Sequence, residues 1–288
     1  MSGEGLEHGC ATSADPGSGT SRALWDERLR SNTGESSVGC AGFGVQYNRW
    51  LYRLRARVFS RTVKRLWPGD ANIRVLDVGT GTGFYIRQWQ RHGVHRIEGL
   101  DFSPSGIEIL RQRFPGVPFH LADIGQQPLE IEQGAYDVVS AFDVLFHIVD
   151  DARYQAAMNN LVRCLKPGGI LLFTENFVHH ERPRVSDYHY SRTLHDIERT
   201  ARDAGLVMEQ RHPIFVLMNA PDDSTHPALT LWWRMVSKVA QRGEWLGWLA
   251  GACLFPLDGV LTRVLREGPS TELAVCRRVT DTRDRTET

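Results

Sequence analysis

Lysine is nearly missing from this sequence. It occurs at positions 64, 166 and 238, and arginine supplies the rest of the 34 basic residues. Net charge of one sign is missing too, since 34 acids balance them. Without an overall positive field, bulk attraction to a phosphate backbone is excluded, and no nucleic-acid partner is expected. Cysteine is sparse and scattered: Cys10, Cys40, Cys164, Cys253 and Cys276 contain no C-x-x-C pair. Such a set makes neither a zinc site nor a disulfide framework. A reducing, cytoplasmic setting is the expectation. The first residues lack a basic start followed by an apolar stretch, so no secretory signal is expected. The uncharged run Trp245–Leu257 falls short of the roughly 20 residues that span a bilayer. What remains is an ordinary globular mixture, 41% hydrophobic and 24% charged, with length for one large core.

Residues 1–42 are rich in Gly, Ser, Thr and acids and read as a disordered tail, as do 278–288. Between them, 43–277 reads as one domain. A helix is predicted over Tyr47–Trp67, with Leu51, Leu54, Val58 and Leu66 on one face among six arginines, stopped by Pro68–Gly69. Strands are then predicted at Ile73–Asp77, Arg96–Asp101, Phe119–Ala122, Tyr136–Ala141, Gly169–Glu175 and from Val207, with a last one at Thr271–Cys276. Helices are predicted between them at Gly83–Arg91, Pro104–Phe114, Ala152–Leu165 and Arg192–Ala204. This alternation implies βαβ units and a parallel sheet covered on both faces, with ligands beyond the strands' C-terminal ends. A helical insertion is expected at about 218–268. It holds an amphipathic helix Ala228–Ala240 and the apolar Trp245–Leu257, read as a buried helix with an interfacial helix as the alternative.

The segment richest in chemistry is Val75-Leu76-Asp77-Val78-Gly79-Thr80-Gly81-Thr82-Gly83-Phe84. An apolar strand ends in an acid, and alternating glycines then open a helix. Glycine lets a ligand lie against the backbone, and the helix start offers free N–H groups and a positive dipole end. The dinucleotide fingerprint G-x-G-x-x-G fails, because its last position falls on Phe84 or Ile86. Asp77 would repel a pyrophosphate and suits a cationic ammonium. Asp101 closes the second strand, where a carboxylate accepts from two ribose hydroxyls; its bland role, capping the next helix, is one that Ser103 also fits. Asp123 closes the third strand, placed for an exocyclic amino group, with Ile124 against the ring.

The chain resembles class I S-adenosylmethionine-dependent methyltransferases of the small-molecule kind. The matching segments are VLDVGTGTGFY at 75–85, GLDFS at 99–103, ADI at 122–124, YDVVSAFDVLFHI at 136–148 and LVRCLKPGGILLFTE at 161–175. The resemblance implies a Rossmann-like, doubly wound α/β sheet of seven strands with an antiparallel last strand, here with a leading helix and an unusually long insertion before that strand. It implies S-adenosylmethionine as cofactor. Gly79, Gly81 and Gly83 would line the methionine part, Asp77 its amino group, Asp101 the ribose, and Asp123 with Ile124 the adenine. Thr80, Phe84, Phe102, Ser103, Phe142 and Asp143 complete the expected contact set.

Methyl transfer needs in-line placement of a nucleophile above all, and a general base when the acceptor is a hydroxyl. His147, just beyond the fourth strand, is the candidate base. Tyr47 and Tyr52 either close over the cofactor or pack, and His179, His180, His189 and Tyr190 either line the acceptor site or form a polar surface loop. Asp143, Glu175 and Asn176 offer oxygen ligands of the magnesium type, although no metal is expected. The expected reaction is methylation of a small acceptor, apolar or lipid-like, at oxygen or nitrogen. Trp232, Trp233, Trp245, Trp248, Leu249, Leu254 and Phe255 would roof its pocket, with weak membrane-surface contact through the same insertion. The competing readings are a cofactor-binding protein without catalysis and an NAD(P)-dependent oxidoreductase. The broken fingerprint and the missing Tyr-x-x-x-Lys pair oppose the oxidoreductase. A nucleic-acid methyltransferase is opposed by Ser140-Ala141-Phe142-Asp143 standing where those enzymes carry N/D-P-P-Y/F.

Overall fold

The computed structural model describes residues 21–31, 34, 39–69, 72–180 and 188–280. Seven strands form one sheet: β1 (Arg74–Val78), β2 (Arg96–Asp101), β3 (Phe119–Leu121), β4 (Tyr136–Ala141), β5 (Leu165–Glu175), β6 (Leu206–Pro213) and β7 (Glu272–Arg278). Their order is β3-β2-β1-β4-β5-β7-β6. All neighbours run parallel except β7, which is antiparallel to both β5 and β6. This is the expected doubly wound sheet with an antiparallel last strand.

Eight α-helices accompany it among the described residues: α1 (Ser21–Ser31), α2 (Gly44–Leu66), α3 (Phe84–Arg91), α4 (Pro104–Arg113), α5 (Asp151–Cys164), α6 (Leu194–Asp203), α7 (Pro227–Gln241) and α8 (Glu244–Val264). Successive strand residues point to opposite faces, so each strand feeds two cores. Val75, Ile97, Val138, Leu172 and Val275 pack with α2 and α3 on one face. Leu76, Leu100, Val139, Leu171 and Ala274 pack with α5 and α6 on the other. The strand order reverses beside β1, which pairs with β2 on one side and β4 on the other. That reversal opens a crevice beyond the C-terminal ends of these strands. Ser103 caps α4, its Oγ accepting from the Gly106 N–H at 2.9 Å.

The structure corrects the sequence reading in four places. First, α1 lies within the expected tail 1–42. Its Asp26 accepts hydrogen bonds from Ser103 Oγ and the Ser105 N–H, and Leu29 is buried. One carboxylate at the start of α4 and two apolar side chains dock a segment that is polar on average. Residues 1–20 and 281–288 lie outside the described residues.

Second, α2 begins at Gly44, ahead of the predicted Tyr47. Glu244 supplies the missing cap, accepting from the Val45 and Gln46 N–H groups at 2.8 and 2.7 Å. Third, α8 runs on to Val264 rather than ending at Leu257. The charge that broke the apolar pattern, Asp258, is buried and accepts from the N–H groups of Val216, Leu217 and Met218. Fourth, Cys40 is disulfide-bonded, whereas the scattered cysteines predict no disulfide framework.

Candidate active site

The crevice is a single cavity lined from five directions. Val78 to Thr82 form its floor, Phe84 and Tyr85 its helical wall, and Leu100 to Phe102 with Ala122 and Ile124 one side. Phe142 to Val144 and His147 form the opposite side, and Trp25, Leu29 and Tyr52 close over the top.

The floor depends on glycine at named positions. Gly79, Gly81 and Gly83 have φ of 68°, 55° and 79°, the left-handed region that side chains disfavour. A Cβ on Gly79 would stand 2.2 Å from Val144 Cγ2, and one on Gly83 would stand 2.2 Å from Phe114 Cε2. Both features require glycine at these positions.

Two buried carboxyls flank this floor, Asp101 in the cavity wall and Asp77 behind the glycine loop. Asp77 is buried and accepts from Ser140 Oγ at 2.7 Å. Burial pushes its pKa up to about 7; the Ser140 hydrogen bond opposes the rise and the nearby Asp101 adds to it. Asp101 is also buried, its oxygens accepting from the Gly81 and Ser103 N–H groups at 2.8 and 2.9 Å. Burial raises its pKa against those hydrogen bonds. Two desolvated acids beside each other favour a cationic, hydroxyl-bearing ligand. Each retains acceptor capacity beyond its protein partners.

Of the third acid the expectation is corrected. Asp123 does not line the cavity; Ala122 and Ile124 do. Its carboxylate accepts from Arg153 Nη2 at 2.7 Å and from the Gly125 N–H at 2.9 Å. Arg153 lies 30 residues further along the chain, so the strand-end rule that suits Asp101 cannot foresee this capture. Ser103 likewise acts as a helix cap and a partner of Asp26, outside the cavity lining. The remaining expected contact residues, Asp77 and Gly83 apart, line the cavity: Gly79, Thr80, Gly81, Phe84, Asp101, Phe102, Ile124, Phe142 and Asp143. Asp77 itself sits behind the floor, its main-chain oxygen accepting from Thr80 Oγ1.

The far side is aromatic. Tyr85 stacks on Phe142 with centroids 4.0 Å apart, and Tyr52 meets Phe84 edge-on at 4.7 Å. Tyr52 therefore closes over the cavity, whereas Tyr47 packs, its hydroxyl donating to the Met218 carbonyl. His147 lines the wall, edge-on to Trp25 at 4.7 Å. Its Nδ1 lies 2.7 Å from the Tyr188 carbonyl, an acceptor only, so the proton is on Nδ1 and Nε2 keeps its lone pair. Burial lowers its pKa to about 4, leaving the ring neutral near pH 7. Asp143 adopts φ 57° and is held by Arg55 Nε at 2.9 Å and Thr174 Oγ1 at 3.2 Å.

Two other polar candidates have partners outside the cavity lining. His179 bonds Asp223, and His189 lies beside Asn176 and Ser191. Asp143, Glu175 and Asn176 do not converge as ligands. Glu175 faces Tyr154 and Arg192, and Asn176 bonds Ser191 and Asp222.

The expected tryptophan roof is corrected as well. Trp232, Trp233, Trp245, Trp248, Leu249, Leu254 and Phe255 are all absent from the cavity wall. Helix α2 stands between: its Tyr52 faces the cavity, while its Trp50 meets Trp248 and Phe255 at 6.3 and 5.2 Å. The cover comes instead from Trp25 and Leu29, spaced i, i+4 on one face of a helix that composition alone hid. Tyr85, Thr82 and Val144 were also missed, although each is adjacent to a motif residue.

A sulfonium nucleoside fits the residues present. Trp25 Nε1 and Thr82 Oγ1 are buried cavity-lining polar atoms with no hydrogen-bond partner among the described residues. Added to the glycine floor and the two acids, they supply donors and acceptors that the fold itself leaves unused.

Residues 48–215 match the family described as "Methyltransferase domain". Over 107 residues the chain is 35% identical to malonyl-[acyl-carrier protein] O-methyltransferase of Serratia marcescens, covering 37% of this chain and 38% of that one. Over 132 residues it is 27% identical to the ubiquinone/menaquinone biosynthesis C-methyltransferase of Campylobacter jejuni, covering 44% and 52%. The chain thus spans about half or less of the length of these curated relatives. In fold it is similar to phosphoethanolamine N-methyltransferase 2 of Haemonchus contortus, a structure with S-adenosyl-L-methionine, with a TM-score of 0.55, 18% identity, and coverage of 91% and 61%.

Proposed function

The chain belongs to the class I S-adenosylmethionine-dependent methyltransferase family, and on that premise we propose that it transfers a methyl group from S-adenosylmethionine to oxygen or nitrogen of a small acceptor with an apolar body. The observation that carries this reading is convergence. Asp101, the glycine floor, the aromatic wall and the His147 ring meet in one cavity.

When bound, the cofactor supplies a methyl group already activated by its sulfonium. The residues of this chain do the rest. The first turn of α3, with the positive end of its dipole, receives a carboxylate. Asp77, once ionised, balances an ammonium. Asp101 accepts from ribose hydroxyls. Leu100, Phe102, Ala122 and Ile124 enclose a flat base in an apolar slot.

On the acceptor side, Tyr85, Phe142, Tyr52 and Trp25 exclude water and hold an apolar body at a fixed angle, which is what in-line transfer requires. His147 Nε2 accepts a hydrogen bond from an acceptor O–H or N–H and orients it. Because burial favours the neutral ring, its pull on the proton is modest, and positioning contributes more than base strength. The malonyl, quinone and phosphoethanolamine substrates in the relatives' names differ widely, so the acceptor's identity is set by these side chains and not by the family.

The reading is tested by adding methyl-labelled cofactor and the purified chain to a host extract, then finding the labelled product by mass spectrometry. A single labelled small molecule, absent with Asp101→Ala, supports it. Tight cofactor binding with no labelled product across a broad acceptor panel supports a binding protein instead.

A further inference from the structure

Helix α8 buries only part of its surface. Gly247, Gly251, Leu254, Asp258, Gly259 and Thr262 face the fold. The glycines let α2 approach closely: a Cβ on Gly251 would stand 2.3 Å from Trp50 Cδ1, and one on Gly259 would stand 2.4 Å from Arg57 Nη1. The opposite face is exposed and apolar along the whole helix. Trp245, Trp248, Leu249, Leu257, Val260 and Val264 lie on it, with Trp245 68% and Val264 72% exposed. Their spacing follows one helical stripe. A patch of this length is larger than the scattered apolar residues of an ordinary surface.

The flank of that stripe is cationic. Helix α2 carries seven Arg and Lys residues and no acid; α7 carries Arg234 and Lys238 and no acid. With α8 included, the three helices hold ten cationic side chains against two carboxylates, in a chain of zero net charge; Arg55 turns inward to Asp143, which leaves nine. Both carboxylates have partners in the fold, Glu244 at the surface and Asp258 in the interior. Glu244 caps α2, and Asp258 holds the 216–218 backbone.

Contacts place the cations beside the stripe. The Arg57 guanidinium lies 4.5 Å over the Phe255 ring, and that of Arg53 lies 4.3 Å over Trp50, the neighbour of Trp248. Further along, Arg61, Arg65 and Arg263 line one surface depression, with Glu209 and Glu267 on its rim. Among the described residues no carboxylate pairs with Arg53, Arg57, Arg65 or Arg263.

We infer that the exposed face of α8, with the arginines of α2 beside it, docks on an anionic phospholipid surface. Tryptophans and aliphatic side chains enter the headgroup region while flanking cations meet lipid phosphates. Helix α8 is long and apolar enough to cross a membrane by composition. Yet Asp258 and its three backbone partners tie it into the fold, so the helix lies along the surface. A second copy of the chain is the poorer occupant, because a two-fold contact would set one arginine row against another.

The test uses the full chain and two kinds of vesicle, phosphatidylcholine alone and phosphatidylcholine mixed with phosphatidylglycerol. The chain is expected to float with the mixed vesicles, to be released by salt, and to have its tryptophan fluorescence quenched by brominated acyl chains. Trp245→Ser with Trp248→Ser is expected to weaken binding roughly tenfold. Arg53→Gln with Arg57→Gln is expected to weaken it roughly twentyfold. Quenching in the unmodified chain reads insertion even if a variant misfolds. Failure to float with anionic vesicles overturns the inference. So does unchanged flotation of the folded tryptophan variant, or a dimer that those tryptophan changes disperse while vesicles are ignored.

Discussion

Asp26 and Ser103, 77 residues apart, share a hydrogen bond of 2.6 Å. It fastens α1 to the start of α4, and through α1 it sets Trp25 and Leu29 over the cavity. The carboxylate is held below its usual pKa first by Ser103, with burial opposing. Replacing Asp26 with Ala removes a charge-assisted anchor. Cofactor affinity is expected to fall by about tenfold, read by calorimetry, with faster deuterium exchange confined to α1. Unchanged affinity and exchange would separate α1 from the site.

Asp77 makes cofactor binding depend on pH. Its pKa in the free protein is pushed up to about 7 by burial, and a cationic ligand favours the ionised form. Binding therefore costs a proton below that value. Affinity is expected to rise with pH between about 5.5 and 7.5, by at most about tenfold per unit. Asp77→Asn should bind weakly and lose the slope. A flat profile in the unmodified chain would contradict the assignment.

His147 is expected to contribute through orientation. His147→Ala should lower kcat/KM by about ten- to a hundredfold, at the low end of general-base effects, while cofactor affinity holds. Because burial depresses its pKa to about 4, the pH profile should show no inflection near 6.5 that this variant removes. Such an inflection would make His147 a full base.

Gly79→Ala tests the loop. The position has φ 68° and its Cβ would meet Val144 at 2.2 Å. The change should destabilise the fold by about 2 kcal/mol or more and lower cofactor affinity, with both seen in thermal melts run with and without the cofactor. An unchanged melting temperature would show the loop to be more accommodating than its geometry implies.

Glu175 lies fully buried, and burial raises its pKa to about 8 despite the Arg192 charge. The folded state therefore holds a proton that the unfolded chain has lost. Stability from this group is full below about pH 4.5 and declines as pH climbs to about 8. Glu175→Gln should gain stability relative to the parent over that interval and run parallel to it above. A pH-independent difference would refute this.

The strands and the glycine loop were legible because each is a local pattern: apolar runs, a broken fingerprint, an acid after β1 and β2. Asp101 and the Gly79–Gly83 loop were found that way. What escaped was long-range. Arg153 captures Asp123 across 30 residues, Glu244 caps a helix 199 residues earlier, and Asp26 docks a segment whose composition predicts a tail. The tryptophan insertion was visible, but its side of the sheet was not. Only the packing of Gly251 and Gly259 against α2 places it away from the cavity.

The central claim is that the Asp101 carboxylate and the glycine floor hold a sulfonium nucleoside. Titrating the purified chain with S-adenosylmethionine in a calorimeter tests it most directly. The account predicts saturable one-to-one binding that Asp101→Ala abolishes and that NAD(P) does not reproduce. Absence of binding heat with S-adenosylmethionine, or equal heat in the Asp101 variant, would contradict it.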